Sequence, residues 1–476
     1  MLEAPPYDRT EVSPGIVHLG VGASARGNHA AYVDGLLRAG LARDFGIIAV
    51  AVDPAEAKVA QSLRDQDGLY TLTEAYPDGT RVTRTIGSLV EVLFAPDDPY
   101  AVTARLRDPA TRVVALTVGR DGYPLDPDTG RFDPEHPAAR AGLPSESGPC
   151  SAFRLVVEAL GHRRAAGVPP FTVVSCDDLP GNGDITRMVT TGLARVTDSD
   201  LATWIDANVR FPGSIVDRLV QPAASGDAPR GDAVPLLAES CGRWVLEDDF
   251  SLGRPPYERA GAQLTDNIVP HALAKLRLTD AARTALGHLG SLAGHRNAEE
   301  ACHDPLLTGF LLTYLREEAA PTLPPVLGLD LAAFTDEVIE RLGSSGLRTP
   351  LSDLCVDGSA AMSTLLVPVV EDVVRMRRPV DCSALIVAAW ARYVEGVDEQ
   401  GAPIDVVDEL AEPLHAAAAA QRTDPLVLLR NPMLFGGLID TPEFTVPYAA
   451  MLESLHTRGV RRTLEAIRDS LPSAGR

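Results

Sequence analysis

The first half of the chain alternates short aliphatic runs with helical patterns, and that alternation confines it to strands joined by helical crossovers in a mostly parallel sheet. Strands are predicted at Gly15–Leu19, Gly46–Val52, Arg112–Val118 and Phe171–Ser175. Between the first two, Ala30–Gly40 carries Tyr32, Leu36 and Leu37 on one apolar stripe and ends on a glycine, the pattern of a helix and its stop. From about Thr265 the texture changes to alanine- and leucine-rich stretches, read as helices over Leu276–Leu292, Leu306–Glu318, Leu331–Leu342, Ala360–Met376, Cys382–Val394 and Pro425–Leu429. Pro413–Gln421, with its five consecutive alanines, reads equally as helix or connector. The fold class is therefore α/β followed by a mostly α-helical part.

A chain of 476 residues exceeds what one hydrophobic core usually organises, so two domains are expected. A formal charge of −22 argues against a nucleic-acid backbone as partner. The apolar run Gly46–Val52 is far short of a membrane span, and Met1–Thr10 lacks the apolar centre of a secretory signal. Cys150, Cys176, Cys241, Cys302, Cys355 and Cys382 lie far apart, so they read as reduced thiols of a cytoplasmic protein. His271, His288 and His295 do not repeat at three or four residues, so no metal site is expected of them. Oligomeric state is not legible; a monomer or weak homo-oligomer is expected.

Gly20 and Gly22 follow the first strand and precede a helix, where missing β-carbons let a backbone approach a pyrophosphate at a helix N-terminus. The third glycine of the usual fingerprint is absent, since position 25 is alanine. Asp53, at the end of the second strand, is the residue type that accepts hydrogen bonds from ribose hydroxyls and repels the 2′-phosphate of NADP, which points to NAD. The competing explanation for Asp53 is turn formation before Pro54. The expected cofactor contacts are Gly20, Gly22, Ala23, Ser24, Arg26, Asp53, Thr117 and Val118.

Four segments carry a family resemblance: His18–Gly22 with Arg26 and Tyr32–Asp34; Ser175–Gly183; Phe211–Arg218; and Lys275–Leu278. Together with Asp67–Leu72, Trp244–Phe250 and Val397–Glu399 with Gly401, they resemble the polyol-specific long-chain dehydrogenase family, of the mannitol 2-dehydrogenase and fructuronate reductase type, over nearly the whole chain. The resemblance implies a Rossmann-type dinucleotide-binding domain, placed at 1–264, and a helical substrate and catalytic domain at 265–476. It also implies hydride transfer between NAD(P) and a secondary alcohol without zinc, with Lys275 as general base and Asp217 near the site. A lysine serves as base near neutral pH when burial or a neighbouring cation lowers its pKa.

The chain departs from the family pattern where asparagine would stand five residues after the lysine and histidine eight after it: here are Asp280 and Arg283. A second family asparagine corresponds to Asp178. Ionised carboxylates accept hydrogen bonds but do not donate them, so donors to the reacting oxygen are lost. Three readings follow. Oxidation could be transient, with Asp178 and Asp280 as acid and base for elimination or epimerisation of a sugar- or nucleoside-like substrate and NAD regenerated; this is the reading the two carboxylates favour. Alternatively the enzyme is a net polyol or sugar-acid dehydrogenase, with Arg283 orienting the substrate, or an inactive NAD-binding homologue. Against any special role, Asp280 and Arg283 are spaced to form a local helix ion pair.

Overall fold

The computed structural model describes residues 2–127, 129–140, 151–224, 231–325, 328–344 and 346–470; Cys150 lies outside them. The chain forms two compact units, residues 1–76 with 80–269 and residues 77–79 with 270–476.

In the first unit, β1 (Pro14–Leu19), β2 (Gly46–Ala51), β5 (Leu89–Phe94), β6 (Val113–Leu116) and β7 (Thr172–Ser175) form a parallel sheet in the order β5-β2-β1-β6-β7. Every residue of β2, β6 and β7 is buried, as expected of strands covered on both faces. The helices α1 (Ala23–Gly27) and α2 (His29–Arg38) follow β1. Strand order reverses between β1 and β6, the topological switch point where open parallel sheets bind ligands outside the carboxyl ends of their strands.

The four expected strands are present, the first longer by one residue and the other three shorter. The sheet releases the chain after Leu116, so Thr117 and Val118 belong to the following turn, closed by Gly119 at φ 72°. Two further sheets escape the apolar-run criterion because their strands are short or mix polar residues with apolar ones. One orders β4 (Arg81–Ile86), β3 (Tyr70–Ala75), β10 (Leu236–Glu239) and β9 (Val220–Pro222); the other orders β12 (Gln263–Thr265), β11 (Arg243–Glu247) and β8 (Ser214–Asp217).

The second unit is helical around the segment Asp381–Tyr393, in which every residue from Cys382 onward is buried; a helix enclosed on all sides is the centre of a bundle. Three expected helices contain a π-helical turn: Lys275–Asp280, Tyr314–Ala319 and Met362–Leu366. The second and third run into Pro321 and Pro368, which lack the N–H that would close the next α-helical bond, so the backbone widens. The first has no proline downstream to account for it.

The expected helix at Pro425–Leu429 is instead turns and a single 3-10 turn, Leu428–Arg430. The alanine-rich segment resolves as a helix over Ala411–Ala418. A helical stretch over Pro442–Ser470, absent from the sequence reading, breaks at Gly459 (φ 78°, ψ 174°). There the Glu399 carboxylate accepts from Val460 N–H, and a β-carbon on Gly459 would stand 2.8 Å from it. The Val397–Gly401 motif thus anchors the terminal helix.

Candidate active site

The end of β1 is shaped by backbone. Gly20 donates its N–H to Val50 O at 2.7 Å and holds φ 105°; a β-carbon there would stand 2.0 Å from Thr117 O. No side chain fits between β1 and β6 at this point. A β-carbon on Gly22, by contrast, would meet nothing within 4 Å, so the turn is open in front of α1, whose first residues are Ala23 and Ser24 and which has no side-chain cap.

Arg26 is buried under the turn, donating from Nε to Val21 O (2.9 Å) and from Nη1 to Val234 O (2.7 Å), while Tyr70 Oη donates to Arg26 O (2.7 Å). Its guanidinium braces the turn from below. Asp53 is exposed and caps the next turn by accepting from Ala55 N–H at 2.8 Å, so the turn-forming explanation holds. The same position at the carboxyl end of β2 leaves it able to face a ribose. The sequence reading missed Glu56, whose carboxylate accepts from Val21 N–H (2.8 Å) and Val52 N–H (3.1 Å) and ties the second strand to the glycine turn. The signal was there: aspartate followed three residues later by glutamate is a capping box.

These features fit a dinucleotide: an uncapped helix start, an open glycine and an acidic residue at the neighbouring strand end, all around a switch point.

Asp177, also missed, fixes the far side of that point. Its buried carboxylate accepts from Val118 N–H (3.1 Å), Gly119 N–H (2.8 Å) and Tyr123 Oη (2.8 Å). Burial pushes its pKa up and the Gly119 and Val118 hydrogen bonds oppose the rise. Asp178, next in sequence, is exposed. Asn182 holds the segment together: Nδ2 donates to the carbonyls of Asp177 (3.1 Å) and Ser214 (2.9 Å), and Oδ1 accepts from Ser214 N–H (3.0 Å). Gly183 packs against the Phe211 carbonyl, 2.6 Å from where a β-carbon would sit, and Glu247 accepts from Gly213 N–H at 2.7 Å. Two of the family segments are thus joined through backbone contacts. Asp217 is buried at the end of β8, opposite Arg243.

In the second unit Lys275 opens the π-helical turn and is buried. Its Nζ donates to Asp280 Oδ2 at 2.8 Å, and Arg283 Nη1 lies 3.6 Å from Asp280 Oδ1. In an α-helix residues five apart point about 140° from one another. The wider π turn, a feature frequent at functional sites, brings the Lys275 and Asp280 side chains to hydrogen-bonding distance. The expected Asp280–Arg283 ion pair exists, but the shorter contact is with Lys275. His288, on the same helix, is buried with Nδ1 on Thr284 O (2.8 Å), and burial lowers its pKa to about 4.

The structure therefore brings Gly20, Gly22, Ala23, Ser24, Arg26, Thr117 and Val118 together around the ends of β1 and β6, with Asp53 at the end of β2. Lys275, Asp280 and Arg283 form one cluster. Asp178 and Asp280, expected as a pair, belong to different units.

A parallel sheet with a dinucleotide-fitting switch point, followed by a helical unit carrying a buried lysine, defines a two-domain oxidoreductase of the dehydrogenase class. Residues 14–259 match the mannitol dehydrogenase Rossmann domain and residues 267–456 the mannitol dehydrogenase C-terminal domain. The chain belongs to the mannitol dehydrogenase family. It is 35% identical over 471 residues to a mannitol 2-dehydrogenase of Phaeosphaeria nodorum, covering 97% of this chain and 82% of the relative. It is also 35% identical over 478 residues to a polyol:NADP oxidoreductase of Gluconobacter oxydans, covering 98% and 97%. Among solved structures it resembles Pseudomonas fluorescens mannitol 2-dehydrogenase in ternary complex with NAD and D-mannitol, with TM-score 0.85, 33% identity and coverage of 98% of this chain and 96% of that one. A D-sorbitol dehydrogenase in substrate-free form gives TM-score 0.89 at 33% identity, covering 97% and 96%. These likenesses support the net dehydrogenase reading over elimination or epimerisation, for which they offer nothing. No helix among the described residues is long and apolar enough to cross a membrane.

Proposed function

We propose that this protein is an NAD-dependent dehydrogenase that oxidises a secondary hydroxyl of a polyol to a ketone, with net release of NADH. The single observation carrying net oxidation over elimination is the Lys275–Asp280 contact at 2.8 Å. An acid–base carboxylate working on a carbon beside a ketone needs a free oxygen, and both Asp280 oxygens face nitrogens, Nζ of Lys275 and Nη1 of Arg283. Asp280 therefore holds the lysine in place.

Bound NAD supplies the hydride acceptor. Lys275, as the neutral amine, receives the hydroxyl proton as hydride leaves the carbon, and Asp280 at 2.8 Å stabilises the ammonium so formed; such general-base work contributes about 10²–10⁴-fold. Arg283 holds Asp280 from the other side, and the carboxylate keeps the lysine side chain in one rotamer. Asp53 and Glu56 give the adenosine end a negative character that favours NAD over NADP. Arg26 braces the glycine turn and does not itself contact the dinucleotide. Asp178 and Asp217 are substrate-side residues, with Asp178 in place of an amide donor of the family pattern.

The test is incubation of the purified protein with NAD and a panel of hexitols, pentitols and sugar acids, following NADH by absorbance and products by mass. Stoichiometric NADH with a product two hydrogens lighter is expected. A product lighter by one water, formed without accumulating NADH, would overturn this reading and restore elimination.

A further inference from the structure

Beneath the glycine turn four side chains form one hydrogen-bonded line. Tyr257 Oη lies 2.9 Å from His29 Nε2, His29 Nδ1 lies 3.0 Å from His18 Nδ1, and His18 Nε2 lies 2.9 Å from Thr117 Oγ1. Tyr257, His29 and His18 are buried; Thr117 is half-buried where the chain leaves β6. Burial keeps both imidazoles neutral, lowering the pKa of His29 to about 3 and that of His18 well below its ordinary value.

A neutral imidazole carries one N–H and one lone pair. The Nδ1–Nδ1 contact needs one proton between the rings, because two lone pairs or two N–H groups would repel at that distance. Only two polarities remain. Either Tyr257 donates to His29, His29 to His18 and His18 to Thr117, leaving the Thr117 hydroxyl hydrogen over, or every bond is reversed and the Tyr257 hydrogen is left over.

Burial decides between them. Tyr257 is 1% exposed and its hydroxyl has no other hydrogen-bond partner among the described residues, so the reversed line strands a donor in the core. A buried unsatisfied donor costs about 1–3 kcal/mol. The forward line leaves its spare hydrogen on Thr117, beside Gly20 at the rim of the sheet, where the turn stands open at Gly22.

We propose that Tyr257, His29 and His18 form a one-way relay that fixes the Thr117 hydroxyl as a hydrogen-bond donor to an acceptor oxygen of the bound dinucleotide. Thr117 is the contact; His18 and His29 are positioning residues. The inference rests on the reading of this turn as the NAD site.

Two measurements test it. Nitrogen NMR on protein carrying isotope-labelled histidine reads the tautomers directly: His18 is expected protonated at Nε2 and His29 at Nδ1, both staying neutral through mildly acidic pH. The opposite tautomers would overturn the relay. Calorimetric titration with NAD should show Thr117→Val, which keeps the shape and loses the donor, binding about 3–10-fold more weakly, the value of one hydrogen bond. Thr117→Ser should restore affinity to within about twofold of wild type on the same grounds. Wild-type protein that binds NAD no better than Thr117→Val overturns the relay alone; wild-type protein that takes up no NAD overturns the dinucleotide reading and the relay with it.

Discussion

The glycine turn of the first unit and the lysine helix of the second are built from different materials. Around the glycine turn the geometry is set by backbone: the positive φ of Gly20, the Thr117 carbonyl against it, the missing β-carbon of Gly22. The two imidazoles beneath it are neutral and insulated from solvent, and the Arg26 guanidinium there bonds to backbone carbonyls. On the lysine helix the geometry is set by ionisable side chains, with one carboxylate between the Lys275 Nζ and the Arg283 guanidinium. A backbone-built site admits few substitutions. On the lysine helix it is the π turn that lets side chains five residues apart meet.

The largest expected effect is on the charged side. Lys275→Ala should lower kcat by about 10²–10⁴-fold, with NAD affinity within about twofold, since the lysine belongs to the helical unit. Steady-state kinetics with calorimetric NAD titration separates the two. Loss of NAD binding in this variant would break the division of labour. On the backbone-built side, Gly20→Ala should act through stability. The new β-carbon would meet the Thr117 carbonyl at 2.0 Å, and non-glycine residues at unfavourable positive φ cost about 1–3 kcal/mol before any clash is counted. A urea melt of the variant should show the loss, and an unchanged melt would refute the rigid contact between β1 and β6.

What the sequence made legible follows the same line. Strands such as Gly46–Ala51 are apolar throughout because both faces are covered, so a simple run reveals them. Strands such as β4, whose first residues are exposed, look like loops to that criterion. The glycine turn was legible because glycine marks backbone constraint. Asp177 was hidden beside Asp178: adjacent in sequence, one is buried on three donors and the other exposed, a difference no local pattern carries. The Lys275–Asp280 contact was hidden for a geometric reason, because helical reasoning looks three and four residues along and a π turn joins residues five apart.

Acid should separate the two units. His29, at about 3, and His18 sit in the first unit, and His288, at about 4, in the second, all below the ordinary 6.5. Between pH 6.5 and about 4 the unfolded chain takes up protons that the native imidazoles refuse, so stability falls with pH, by about 1.4 kcal/mol per pH unit for each histidine. Asp177 in the first unit and Glu318 in the second are raised by burial and act in the opposite sense, one in each. With two such imidazoles against one, the first unit should therefore lose more stability per pH unit than the second. A Trp390→Phe variant leaves Trp204 and Trp244, both in the first unit, as fluorescence reporters, and a variant with Trp204→Phe and Trp244→Phe leaves Trp390 as the reporter of the second. Urea midpoints that fall equally in both signals would remove the contrast in buried imidazoles.

The smallest effect expected is at Asp53, where the two kinds of construction meet. Its side chain performs a backbone task, capping Ala55 N–H, and its charge faces outward. Asp53→Ser keeps an N-cap oxygen and removes the charge. An exposed unit charge about 4 Å from a phosphate is worth about 1 kcal/mol in bulk water, which corresponds to about fivefold tighter NADP binding in the variant. The gain stays small because Glu56 remains in the turn, its carboxylate on Val21 and Val52 N–H. Titration of both dinucleotides into the variant measures it. If the NADP constant does not move, Asp53 is a turn former alone and the preference for NAD falls to Glu56, which the corresponding Glu56→Gln protein would then reveal by the same shift.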